Sequence, residues 1–206
     1  DLLPSPYGLL KDLKDYADVN NIPIVTLDVA SLIEIIVKSA EVRSILEIGT
    51  AIGYSSILMG KAIGRDFKIT TIEKDPSMVE IARKNIEKAD YSDEIEVIQG
   101  DALEVLDDIH GTYDMIFLDA AKGHYQEVFD KSIARLKVGG LFLCDNVLFR
   151  GMVAERSLVI RRKITIVKRL KKFLPYISDH EALQTSIVPI GDGLSISLKL
   201  KEVTVQ

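Results

Sequence analysis

The chain opens with two stretches whose apolar positions recur at helical spacing. Leu9, Leu10, Leu13 and Tyr16 share a face over residues 7–19, and Leu32, Ile35 and Ile36 do so after Asp28, a side chain suited to capping a helix N-terminus. Beyond residue 43 the rhythm changes, and short apolar runs alternate with amphipathic segments. The runs at 44–48, 68–73, 95–98, 113–119 and 140–145 predict strands buried on both faces. Helices are predicted at about 54–63, 76–89, 125–136 and 159–174, with a shorter one over 102–107 capped by Asp101. Strands separated by helices imply a parallel sheet covered on both sides. The tail departs from this pattern: 185–189 and 194–200 flank Gly191-Asp192-Gly193, a turn signal that predicts an antiparallel hairpin. The reading is therefore α/β, with a seven-stranded, mostly parallel sheet, a C-terminal antiparallel hairpin and an N-terminal helical cap over 1–40. No repeat or Gly/Ser/Pro-rich linker divides it, so residues 1–206 are read as a single domain.

Composition narrows the classes. Hydrophobic residues make up 47% of the chain and charged ones 28%, which excludes disorder. A net charge of -5 argues against a protein that coats nucleic acid. A lone cysteine, Cys144, permits no intramolecular disulfide and no cysteine-based zinc cluster, which points to a reducing compartment and to the cytoplasm. No apolar run reaches the roughly 18 residues of a membrane-spanning helix, so no membrane partner is expected.

In open α/β sheets, ligands bind beyond the carboxyl ends of the strands, so those ends carry the candidate chemistry. The first reads Glu47-Ile48-Gly49-Thr50-Ala51-Ile52-Gly53-Tyr54-Ser55. Gly49 and Gly53 allow a tight turn and a close backbone approach to a ligand, and the helix that follows presents free N–H groups. The spacing G-x-A-x-G differs from the G-x-G-x-x-G of dinucleotide binders, and a methionine carboxylate with its sulfonium suits this looser turn better than a pyrophosphate. The second strand ends at Glu73, 26 positions after Glu47, where a carboxylate can accept both hydroxyls of a ribose. The third ends in Gly100-Asp101-Ala102, where Asp101 can accept an adenine amino group while capping the next helix. Together the three predict an adenosine-containing ligand, S-adenosylmethionine rather than NAD.

The fourth strand runs into Asp119-Ala120-Ala121-Lys122-Gly123-His124-Tyr125 and the fifth into Asp145-Asn146-Val147. Asp119, Asp145 and Asn146 thus bring three hard oxygen donors to adjacent strand ends. Such a set suits Mg²⁺, which takes six oxygens, a few from protein and the rest from water and substrate.

These stretches resemble the cation-dependent O-methyltransferase family that contains the catechol and caffeoyl-coenzyme A O-methyltransferases, and within it the bacterial tRNA 5-hydroxyuridine methyltransferases. The similarity runs from about residue 21 to 198 and rests on Ile22-Pro23-Ile24 and on 47–55, 119–122, 145–154 and 184–197. The 145–155 and 189–194 stretches favour the tRNA branch. The resemblance implies a class I, Rossmann-like methyltransferase fold. It implies cofactor contacts from Val25 (through its backbone), Ser55, Glu73, Asp101, Ala102 and Asp119, beside Glu47 and Gly49 at the first strand end. It also implies metal ligation by Asp119, Asp145 and Asn146, with Lys122 as the base and a homodimer built on the N-terminal helices. The expected reaction moves a methyl group from S-adenosylmethionine to 5-hydroxyuridine at the tRNA wobble position, giving 5-methoxyuridine, with Mg²⁺. The alternative substrate is a small catechol, which offers the same pair of vicinal oxygens.

One charge feature stands apart. Eight Lys and Arg residues against Glu155 give residues 155–172 a net charge of +7, leaving -12 on the rest of a chain whose total is -5. With Ile160, Ile164, Val167 and Leu174 expected on the core side, the cations over 156–172 face outward, either as a solvated surface or as a docking patch for a tRNA phosphate backbone. His110, His124 and His180 lack metal-ligand spacing, and Cys144 reads as a core residue.

Overall fold

The computed structural model describes residues 5–120 and 123–203. Among the described residues there are seven strands, and the last runs antiparallel to both of its neighbours. The chain divides into two compact units, residues 1–105 and 106–206.

The first unit holds α1 (Leu9–Asn20), α2 (Leu27–Ser39), β1 (Ser44–Ile48), α3 (Tyr54–Ile63), β2 (Lys68–Glu73), α4 (Pro76–Lys88) and β3 (Ile95–Gln99), and α5 (Ala102–Asp108) follows. β1 pairs in parallel with β2, and β2 with β3. The strand residues Ile45, Leu46, Ile48, Ile69 and Ile72 are buried, each stabilising the fold by about 1.5–3 kcal/mol. α4 shows how local sequence sets a boundary. Asp75 accepts the Ser77 N–H at 2.8 Å, Pro76 occupies the first helical position, and Val79, Ala82 and Ile86 supply the buried face.

α1 and α2 form where expected, but each turns a different face inward. Ala17, not Tyr16, completes the buried stripe of α1, and Tyr16 is 43% exposed. In α2 the buried residues are Val29, Ala30, Ile33 and Val37, while Ile35 is 58% exposed. α2 is apolar around most of its circumference, so two stripes satisfy the same periodicity. Its cap position is Thr26 rather than Asp28, whose carboxylate accepts the Thr26 hydroxyl and the Val29 N–H.

The second unit holds β4 (Tyr113–Leu118), α6 (Tyr125–Ser132), β5 (Leu136–Cys144), α7 (Ile164–Ser178), β6 (Leu183–Val188) and β7 (Leu194–Lys199). α6 closes in a 3₁₀ turn at Ile133–Arg135, and β5 begins four residues before the expected 140. The helix expected over 159–174 instead starts at Ile164, after 3₁₀ turns at Arg156–Leu158 and Arg161–Lys163. Val159 and Ile160 are extended, with ψ of 115° and 134°, which interrupts the helix. Pro175 sits inside α7 without ending it. Its missing N–H removes a single bond to the preceding turn, and its carbonyl still accepts Asp179 N–H at 2.8 Å. The inward stripe of α7 is Val167, Leu170, Phe173, Leu174 and Ile177; Ile160 and Ile164, expected there, are 48% and 39% exposed. Among the described residues, no helix is long and apolar enough to cross a membrane.

Candidate active site

In the first unit, Gly49 and Gly53 adopt left-handed φ angles of 104° and 83°, so the turn between β1 and α3 depends on glycine at both ends. Ala51 between them is also left-handed, at 46°. The turn is held from the next strand: Glu73 Oε2 accepts the Ala51 N–H at 2.9 Å, and Glu73 Oε1 accepts the Asp75 N–H at 2.8 Å. Beneath it lies a buried polar chain. The Thr50 and Thr71 hydroxyls sit 2.6 Å apart, Thr71 donates to Glu47 Oε2 at 2.6 Å, and Ser56 donates to the same oxygen. Glu47 is fully buried, and its Oε1 has no hydrogen-bond partner. Burial pushes its carboxyl above the usual range, while hydrogen bonds from Ser55, Ser56 and Thr71 pull the other way.

Asp101 fills the capping role expected of it: Oδ1 accepts the Leu103 N–H at 3.0 Å, while Oδ2 meets Lys74 Nζ at 2.7 Å. Ala102 starts α5. Val25 (4% exposed) precedes α2 and Ser55 (8% exposed) lies in the first turn of α3. The first unit therefore gathers Glu47, Gly49, Ser55 and Glu73 around one turn.

In the second unit, β4 and β5 pair in parallel with Leu118 opposite Cys144, so Asp119 and Asp145 are the next residues on adjacent strands. The Asp145 N–H donates to the Leu118 carbonyl at 3.0 Å, which fixes that juxtaposition. Asp145 is 1% exposed, and its Oδ1 accepts the Asn146 N–H at 2.6 Å. Asn146 is left-handed at φ 59°, as are Phe149 at 46° and Arg150 at 55°. Such angles are costly for a bulky side chain and persist only where surrounding structure imposes them. The hairpin turn holds the bulky positions, Phe149 and Arg150, in this region. The Asp192 carbonyl accepts the Leu148 and Phe149 N–H groups at 2.9 and 3.2 Å, and the Gly193 carbonyl accepts that of Val147 at 2.9 Å.

Tyr125, read from sequence only as the start of a helix, belongs to this cluster. Its hydroxyl donates to the Asp145 carbonyl at 2.9 Å, and burial together with the charge of Asp119 keeps the phenol from ionising. An aromatic residue with a polar tip six positions after Asp119 is the signal that could have revealed it. Lys122 lies outside the described residues. Cys144 is fully buried, and burial pushes its thiol up, as a core residue requires.

Residues 7–200 match the family model described as O-methyltransferase. The chain belongs to this O-methyltransferase family. It is similar to a caffeoyl-CoA O-methyltransferase of Populus trichocarpa, 31% identical over 191 residues that cover 88% of this chain and 76% of that one. A catechol O-methyltransferase of Niastella koreensis is 32% identical over 129 residues, 61% of this chain and 58% of its own. Among solved structures, a Staphylococcus aureus protein provisionally named caffeoyl-CoA O-methyltransferase matches with a TM-score of 0.88 and 35% identity, covering 94% and 93% of the two chains. An O-methyltransferase from Bacillus cereus, solved in complex with SAH, matches with a TM-score of 0.85 and 25% identity over 97% and 94%.

The methyltransferase uses S-adenosylmethionine, and its own residues fit that cofactor. The glycine turn opens the backbone, and one oxygen of Glu47, Oε1, is a buried acceptor without a hydrogen bond in the strand that leads into it. Among the described residues no three His, Cys, Asp or Glu side chains gather as a metal centre. The residues that the sequence places at the ends of β4 and β5 are instead two carboxylates and one amide, Asp119, Asp145 and Asn146. These hard oxygens can hold a divalent cation that takes its remaining ligands from water and substrate.

Proposed function

We propose that the methyltransferase acts on 5-hydroxyuridine at the wobble position of tRNA, giving 5-methoxyuridine, and that it needs Mg²⁺ to do so. The observation that carries the tRNA reading is the surface over 156–172. Arg156, Arg161, Arg162, Lys168, Arg169, Lys171 and Lys172 are exposed, and Lys163 is half-buried against the Phe149 ring, 5.7 Å from its centroid. Among the described residues none of the eight makes a direct ion pair with an acid, and Lys171 interacts with Glu155 only at longer range. Cations concentrated in this way on an otherwise acidic chain suit a phosphate backbone.

S-adenosylmethionine supplies a methyl group on sulfonium sulfur, and Mg²⁺ supplies a positive charge that favours the ionised form of the accepting hydroxyl. Asp119, Asp145 and Asn146 would hold the cation, and Glu73 would accept the ribose hydroxyls while keeping the glycine turn in place. A phenol-like hydroxyl has a pKa of about 10, so a base is needed near neutral pH. Lys122, in its neutral form, is assigned to take that proton at Nζ. The remaining acceleration comes from orientation, which holds the oxygen in line with the methyl carbon.

The names of the curated relatives favour a second reading, a small catechol or a caffeoyl-CoA acceptor. Catechol and 5-hydroxyuridine both present two vicinal oxygens, so the donor cluster serves either. Reversing the charges of Arg156, Arg161, Arg162 and Lys168 separates them. Arg169 is left intact, because its guanidinium donates to the Gly123 carbonyl and its loss would perturb the second unit as well. On the tRNA reading, the four-fold variant binds tRNA weakly and with a shallower salt dependence, since each lost phosphate contact releases fewer counterions. Its turnover of free catechol stays that of the wild type. Wild-type tRNA methylation by this variant would remove the support for the tRNA reading.

A further inference from the structure

One peptide unit in the second unit has both of its polar groups committed. The Asp145–Asn146 peptide donates its N–H to Asp145 Oδ1 at 2.6 Å and accepts the Tyr125 hydroxyl at its carbonyl at 2.9 Å. The first bond is local and turns with the Asp145 side chain. The second comes from α6, twenty positions away in sequence, and ties the peptide to that helix. Tyr125 is itself well fixed. It is 2% exposed, and its ring meets Phe173 of α7 edge-on, with centroids 5.8 Å apart and planes at 78°.

The orientation of this peptide matters because Asn146 is left-handed, at φ 59°. Asn adopts this region more readily than other non-glycine residues, so the angle costs little and the hydrogen bonds of the peptide decide its orientation. Rotating the Asp145–Asn146 peptide would change ψ of Asp145 and φ of Asn146 together, and would carry the Asn146 amide away from the Asp145 carboxylate. We propose that Tyr125 is a positioning residue: its hydroxyl holds this peptide in the one orientation that presents Asp145 and Asn146 together as oxygen donors. The inference rests on the reading of Asp119, Asp145 and Asn146 as a divalent-cation site.

The test uses Tyr125→Phe, which removes one oxygen and keeps the ring. Mn²⁺ binding to the full chain is measured by electron paramagnetic resonance, SAH binding by calorimetry, and folding by thermal unfolding. Loss of a group that orients a metal ligand weakens metal binding by about 10–100-fold. Tyr125→Phe is expected to bind Mn²⁺ more weakly by that margin and to bind SAH as the wild type does. Phe173→Leu keeps the hydroxyl but loosens the ring, and should give a smaller loss of Mn²⁺ affinity. It also decides the matter if Tyr125→Phe fails to fold. Wild-type Mn²⁺ affinity in folded Tyr125→Phe, or in Phe173→Leu where only that variant folds, overturns the positioning role and leaves the metal reading standing. Absence of Mn²⁺ binding by the wild-type chain overturns the metal reading itself, and the positioning role with it.

Discussion

Glu73 holds Ala51: its Oε2 accepts the Ala51 N–H at 2.9 Å, so the carboxylate assigned to the ribose also fixes the glycine turn. One side chain thus links the proposed ribose contact to the turn in which Gly49, Ala51 and Gly53 are left-handed. Glu73→Ala should weaken SAH binding by more than the loss of a ribose contact alone, about 100-fold where a single charged hydrogen bond contributes 1.5–3 kcal/mol. Glu73→Gln retains an acceptor for Ala51 and should lose less. Calorimetry with SAH reads both, and equal affinity in the two variants would separate the turn from the carboxylate.

Glu47 predicts a pH dependence of stability. Its carboxyl is raised in the fold, mainly by burial, so folding favours the protonated form. A raised folded value contributes stability that is complete below the ordinary carboxylate range of about 4.3 and is lost as pH rises through the folded value. Glu47→Gln mimics the neutral acid at every pH. The difference in unfolding temperature, variant minus wild type, should therefore increase as pH rises from about 4 toward neutrality. A difference that is flat with pH would mean that the carboxyl holds its proton no more tightly in the fold than in the unfolded chain, which contradicts the raised value.

Gly193 sits at φ 88°, and a Cβ there would lie 2.4 Å from Leu148 Cγ and 2.7 Å from Leu148 Cβ. Gly193→Ala should destabilise the protein by about 1–3 kcal/mol, through overpacking added to backbone strain. The same residue accepts the Val147 N–H, so the damage should reach the strained backbone after Asn146. Denaturant unfolding measures the first effect and Mn²⁺ affinity the second.

Asp145 tests the donor cluster itself. Asp145→Ala should lower kcat/KM for methyl transfer by about 100-fold or more, a barrier change of roughly 3 kcal/mol. EDTA should have the same effect on the wild type. SAH affinity should be unchanged, since Glu73 and the glycine turn belong to the first unit. Full activity of Asp145→Ala in EDTA would end the metal mechanism.

What could be read from sequence follows physical redundancy. The strands were legible because buried parallel strands leave apolar runs, continuous in Met115–Leu118 and interrupted only by Glu47 in Ile45–Ile48. The strand ends that precede Asp119 and Asp145 were legible because those runs fix them. The inward faces of α1 and α2 were not, since Ile35 and Ile33 fit the same period and only packing chooses between them. Lys199 is fully buried, with Nζ on the Ile133 and Leu136 carbonyls at 3.2 and 2.6 Å and on Glu202 at 3.0 Å. The two backbone oxygens lie more than sixty positions away, a relationship that no local pattern encodes. The bond from Tyr125 to Asp145 was hidden for the same reason. The exposed cations over 156–172 were visible as charge, but the break at Val159–Ile160 that splits their helix was not.

The most direct measurement offers the methyltransferase its two acceptor classes together. Labelled S-adenosylmethionine is supplied with Mg²⁺, tRNA bearing 5-hydroxyuridine and a panel of catechols, and label is followed into each by mass spectrometry of the isolated nucleosides and small molecules. The account predicts label in 5-methoxyuridine at the wobble position, abolished by EDTA. Label entering only the catechols, with the tRNA unmodified, would contradict it.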